Sequence, residues 1–204
     1  MKKFLIPFLF ISTIIMVGSN SCKKNSKTLY NTEFPNGIGT LWKYKVYDSV
    51  YNYFDTVFVK VVGFTQLITG EEVSMWQSIG IVSGNVDSVF VSSSSNGIIV
   101  YASRNANSII NKYVFPLHVG DKWLMQHYLD TNKVTVRASF TVPAGTFAEA
   151  YRINRMFNSL PGYNRTVEEE WFVPNVGIVS RYLNIISQGY VSNTKWELID
   201  YQIR

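Results

Sequence analysis

Three consecutive glutamates, Glu168, Glu169 and Glu170, are the densest carboxylate group in the chain. Paired carboxylates are the machinery of glycoside hydrolysis, which needs two acids facing each other across about 5 to 9.5 Å. In a strand, side chains alternate between faces. Glu168 and Glu170 therefore share one face, and Glu169 joins Val167 and Trp171 on the other. Two acids on one strand face line up side by side rather than across a substrate. Arg152 and Arg155 fall on the preceding strand, placed to pair with these acids across a hairpin. The expected arrangement is an ion-paired strand surface, with a hydrolase using Glu169 or Glu170 as the alternative.

Other chemistry is sparse. His118 and His127 are the only histidines, and a spacing of nine fits no helical metal motif and offers no third ligand. There is no G-x-S-x-G elbow, no glycine-rich phosphate loop and no H-E-x-x-H, so no cofactor or metal is implied. Five tryptophans stand among 13 Tyr and 13 Phe. Most such rings belong in a core. Trp42, Trp123 and Trp171 are the candidates for a ligand-facing role, against a cavity wall or a sugar ring.

Cys22 is the single cysteine, which excludes an intramolecular disulfide and a cysteine-based zinc cluster. Its surroundings explain it better than thiol chemistry does. Lys2 and Lys3 open the chain, and Phe4 to Val17 is almost wholly apolar. That run is too short to span a bilayer, which takes about 20 residues. A basic start, an apolar core and small residues make an export signal. Ser19-Asn20-Ser21-Cys22 resembles the lipobox of bacterial lipoproteins, with Ser19 where leucine is usual, as in the looser boxes of Bacteroidota-type lipoproteins. The resemblance implies a signal peptide over 1–21, a lipid on Cys22 and attachment to a membrane. Without an acidic run after the cysteine, the periplasmic side is expected. Residues 22–33 then form a polar tether in which Lys23, Lys24 and Lys27 lie near lipid headgroups. The net charge of +5 loses Lys2 and Lys3 with the signal, leaving too little clustered basic charge for nucleic acid.

The elements that must position these residues are strands. TVFVKVVGF, NGIIVYAS, KVTVRASFTV and VGIVSRYLNII are rich in β-branched and aromatic residues. Turn signals recur between them: Thr69-Gly70, Ser83-Gly84-Asn85, Ser95-Asn96-Gly97, Pro161-Gly162 and Gln188-Gly189. SRNANSIINKY is the best candidate for a short helix, with a polar loop as the alternative, and Ser92 to Ser95 reads as a hairpin loop. The expected fold is all-β: an antiparallel curved sheet, sandwich or open barrel of about ten strands over 34–204.

One pattern occurs twice. FPNGIGTLW (34–42) and FPLHVGDKW (115–123) both read Phe-Pro-x-x-x-Gly-x-x-Trp, each with a tyrosine five residues after the tryptophan. Proline holds the residue before it extended, glycine permits a tight turn, and tryptophan opens a strand and buries its ring. Two related halves, 34–114 and 115–204, are expected to pack around one core.

The second half adds VPAGTFAEAYRI (142–153), EEEWFVPNVGIVSRY (168–182) and WELIDY (196–201). Here the chain resembles Bacteroidota-type envelope lipoproteins of unknown function, in which a PAGTF strand leads through a W-x-x-P-x-x-G hairpin to a closing strand. It is also similar to the curved-sheet lipoprotein carriers that move acyl chains through the periplasm. These motifs are turns and aromatics, so the resemblance implies a fold and no reaction. The expected function is a non-catalytic binding or structural module for a small-molecule, lipid, glycan or protein partner, with a carrier of acyl chains or another apolar ligand as the first alternative.

Overall fold

The structure is a computed structural model and describes residues 33–125, 130–156, 166–187 and 190–204. Cys22, the lipobox, residues 23–32 of the tether and His127 lie outside them, as do Pro161-Gly162 and Gln188-Gly189. Twelve antiparallel strands form one sheet. They are β1 (Leu41–Asp48), β2 (Tyr53–Gln66), β3 (Glu72–Gly80), β4 (Val86–Ser94), β5 (Gly97–Tyr101) and β6 (Ile109–Val114). Then come β7 (Lys122–Leu124), β8 (Thr131–Val142), β9 (Gly145–Met156), β10 (Thr166–Val173), β11 (Gly177–Ser187) and β12 (Tyr190–Gln202). Neighbours in sequence are neighbours in the sheet, except that β1 pairs with β12 and β6 does not pair with β7.

The sheet curls into a nearly closed barrel whose seam lies between β6 and the β7–β9 strands. Side chains bridge that seam where ladder bonds are missing. Trp123 Nε1 donates to the Lys112 carbonyl at 2.6 Å, and Asn132 Nδ2 reaches the same oxygen at 3.2 Å. Arg155 Nη1 donates to the Ile110 carbonyl at 3.0 Å. These carbonyls would otherwise be unpaired acceptors on a sheet edge. Bulges bend the strands at Lys43/Tyr44, Val61/Gly63, Val134/Val136, Ala138/Phe140 and Trp171/Phe172, as closure of a sheet requires.

Both Phe-Pro segments feed the core. Phe34 packs against Trp42, Trp76, Tyr113 and Phe172 at ring separations of 5.3–6.2 Å. Phe115 packs against Phe172 at 5.1 Å. Asn36 is buried and accepts a 2.7 Å bond from Trp76 Nε1. Gly177, at φ 102°, passes so close to Phe34 and Trp42 that a side chain there would press on both rings. Trp42 opens β1 fully buried, with Nε1 donating to the Val176 carbonyl at 2.6 Å.

Three local expectations change. The sheet has twelve strands rather than about ten. SRNANSIINKY is neither helix nor plain loop: Ser103, Asn105 and Ser108 hydrogen-bond into a turn, and Ile109 onward is β6. Short polar side chains offer the backbone local partners that compete with a helix. Ser92–Ser94 belongs to β4, with Ser93 buried, and the turn is confined to Ser95-Asn96.

Candidate functional site

Alternation along β10 sends Glu168, Glu170 and Phe172 into the barrel and leaves Glu169 and Trp171 outside. Register then selects their neighbours. Arg155 of β9 stands directly across from Glu168, and Arg181 of β11 directly across from Glu170. The result is a charged row on the inner wall. Arg155 binds Glu168 at 3.4 Å and Asp130 at 3.2 Å. Arg181 binds Glu168 through Nη2 and holds Nε 3.6 Å from Glu170 Oε1. Tyr113 Oη, from β6, donates to Glu170 Oε2 at 2.5 Å, tying the seam strand to the far side of the row.

Three carboxylates thus face two guanidinium groups inside a sheet. Burial first, and then the neighbouring Glu168, raise the Glu170 carboxyl to about 7, against the opposing pull of Arg181, Tyr113 and Arg155. Burial and the Glu170 charge push the Tyr113 and Tyr44 phenols far up, so both stay protonated donors. Burial lowers the Arg181 guanidinium's affinity for its proton, but Glu168 and Glu170 outweigh it and hold the proton more firmly than usual. Charges removed from water survive only when paired in this way.

Against this row lies a cavity of about 410 Å³. Tyr44, Trp76, Trp196, Val89, Val100 and Ile178 supply an aromatic and aliphatic wall, and Arg181, Glu170, Arg155 and Asn111 form the polar side. The size and the mix of apolar wall with few convergent polar groups are those of a small-molecule site.

The expected site residues distribute unevenly. Glu168 and Glu170 are not strand surface: they are 2% and 5% exposed and line or flank the cavity. The signal was Phe172, which continues their face and has to be buried. Glu169 is on the outside, paired loosely with Arg152 at 3.9 Å and accepting from Trp171 Nε1 at 3.2 Å, so a hydrolase built on it has no cleft. None of Trp42, Trp123 and Trp171 lines the cavity. Trp42 is core, Trp123 closes the seam, and Trp171 stacks on Phe140 at 4.1 Å on the outer face. The cavity tryptophans are Trp76 and Trp196. His118 is exposed beside Asp121, and no group of potential metal ligands occurs among the described residues.

No protein-family model matches the chain, and no curated protein does. Two solved structures resemble it. A Parabacteroides distasonis chain assigned as a lipoprotein superposes with a TM-score of 0.52 at 17% identity, over 84% of this chain and 98% of that one. A Bacteroides fragilis chain assigned as an exported protein with a YmcC-like fold superposes with a TM-score of 0.51 at 12% identity, over 85% of this chain and 100% of that one. At such identities the likeness is one of fold.

Proposed function

We propose that the chain is an exported bacterial lipoprotein, held on an envelope membrane by lipid on Cys22 and facing the periplasm, whose barrel binds a small ligand without transforming it. The observation that carries the binding part is the cavity of about 410 Å³ with its aromatic wall. It favours a binder or carrier over a purely structural module, because a structural barrel gains from a filled interior. The lipobox-like Ser19-Asn20-Ser21-Cys22 carries the anchoring part, and the fold neighbours assigned as a lipoprotein and an exported protein support it.

Native mass spectrometry of the chain purified from its own envelope tests both parts. The expected spectrum shows diacylglycerol mass on Cys22 and a co-purified small molecule. A Cys22→Ser chain that stays in the membrane fraction overturns the anchor. A chain whose bound mass is unaffected by Val100→Trp, which fills the cavity, overturns the binding site. A second reading, a hydrolase centred on Glu170, is favoured by a carboxyl that titrates near neutrality at a cavity wall. Loss of ester or glycoside cleavage in Glu170→Gln would support it, and absence of any cleavage by the parent chain removes it.

A further inference from the structure

We propose that the cavity takes an amphiphile with one acidic headgroup, its apolar body against the Trp76–Trp196 wall and its acid on the guanidinium of Arg181. This rests on the binding reading above and names the ligand class.

Exposure decides which charge an occupant meets. The Arg181 side chain is 41% exposed although it sits in the inner row, whereas Arg155 shows 13%, Glu170 7% and Glu168 3%. Of the charged side chains in the row, Arg181 is the most open to an occupant. Its planar fork of N–H donors is matched by carboxylate or phosphate; Glu168 engages it at Nη2, and Glu170 Oε1 lies 3.6 Å from Nε. A basic headgroup would approach Arg181 before reaching the recessed acids behind it.

Charge balance sets the condition under which an acid can enter. The row holds Arg155 and Arg181 against Asp130, Glu168 and Glu170. With Glu170 protonated the count is even, and an incoming acid takes the place of the third negative charge. Glu170 is faced by Tyr113 from β6, Arg155 from β9, Glu168 on its own strand, Arg181 from β11 and Tyr44 from β1. Neither tyrosine releases a proton in the physiological range, so the proton that balances the ligand is the one on Glu170. Binding should therefore strengthen as pH falls through neutrality.

Isothermal titration of the full Cys22→Ser chain with octanoate, octyl phosphate, octanol and octylamine tests this. Octanoate or octyl phosphate, whichever headgroup is the better fit, should bind about tenfold or more tighter than octanol and octylamine, and the preference should vanish in Arg181→Gln and partly return in Arg181→Lys. Between about pH 6 and pH 8.5 octanoate affinity should fall about tenfold in the parent and stay level in Glu170→Gln. If Arg181→Gln does not fold, the headgroup order and pH slope of the parent decide alone. Equal binding of all four probes, or octylamine binding tightest, with Val100→Trp abolishing it, overturns the acid headgroup and leaves the binding reading standing. No binding of any probe, or binding indifferent to Val100→Trp, overturns both.

Discussion

Arg155 and Glu170 show how much one residue inside the barrel controls. Arg155 is the shared cation of Glu168 and Asp130 and also donates to the seam carbonyl of Ile110. Arg155→Met leaves two buried carboxylates short of a partner and should cost about 3–5 kcal/mol, measured as a fall in urea midpoint. Glu170 acts through its proton. Its folded-state value of about 7 lies above the ordinary 4.5, so between those two pH values the folded chain holds a proton that the unfolded chain has released. Stability from this group is complete below about pH 4.5, declines as pH rises to 7, and is flat above, a total on the order of 3 kcal/mol. Glu170→Gln should flatten that decline in urea midpoints taken at about pH 5 and pH 8. An unchanged slope would mean that Glu170 ionises normally. The face shared by Glu168 and Glu170 was legible in the sequence, because alternation needs only parity. Which face points inward was not, since carboxylates bias the assignment outward and the compensating Arg181 lies on another strand.

At the scale of elements, strands and turns were legible from β-branched runs and glycine-rich breaks, and short pieces such as β6 and β7 were not. β7 has three residues, too few to show a period, and is held by Trp123 rather than by a long ladder. That makes the seam the element whose stability is set by side chains. Trp123→Phe keeps an aromatic ring but deletes the bond to the Lys112 carbonyl, and should cost about 1 kcal/mol or more. Hydrogen exchange should quicken in β6 more than in β1 or β12; uniform quickening would show that the seam is not a separate unit. The β3–β4 turn depends instead on Asp55. Its carboxylate accepts from the Thr56, Val82 and Ser83 amides and from Ser83 Oγ at 2.7–3.2 Å. Burial raises its carboxyl, but these bonds outweigh it and leave the value below the usual range. Gly80 lies beneath, where a Cβ would strike Asp55 and Ser83. Ser83-Gly84-Asn85 announces this turn in the sequence, but its anchor was not legible, because Asp55 comes from β2.

The whole molecule is joined where the two Phe-Pro-x-x-x-Gly-x-x-Trp segments meet. Phe34 enters from before β1 and Phe115 from before β7, and both rings rest on Tyr113 and Phe172. The repeated pattern was visible in the sequence, but its use as two inserts into one aromatic cluster was not, because Phe172 is distant from both in the chain. Each ring is nearly buried, at 3% and 5% exposure, so Phe34→Ala or Phe115→Ala alone should cost about 3–5 kcal/mol. The informative measurement is the double-mutant cycle. Because the two rings share the same neighbours, the first substitution lets Tyr113 and Phe172 relax, and the second then removes contacts already loosened. The pair should fall short of additivity by about 0.5–3 kcal/mol. Additivity to within about 0.5 kcal/mol would mean that each Phe-Pro segment seals the barrel independently. Loss of both should also release the Tyr113 bond to Glu170, and because that bond holds the Glu170 carboxyl down, the pH dependence assigned to Glu170 should steepen in the double variant and stay unchanged in variants of the outer face such as Trp171→Phe.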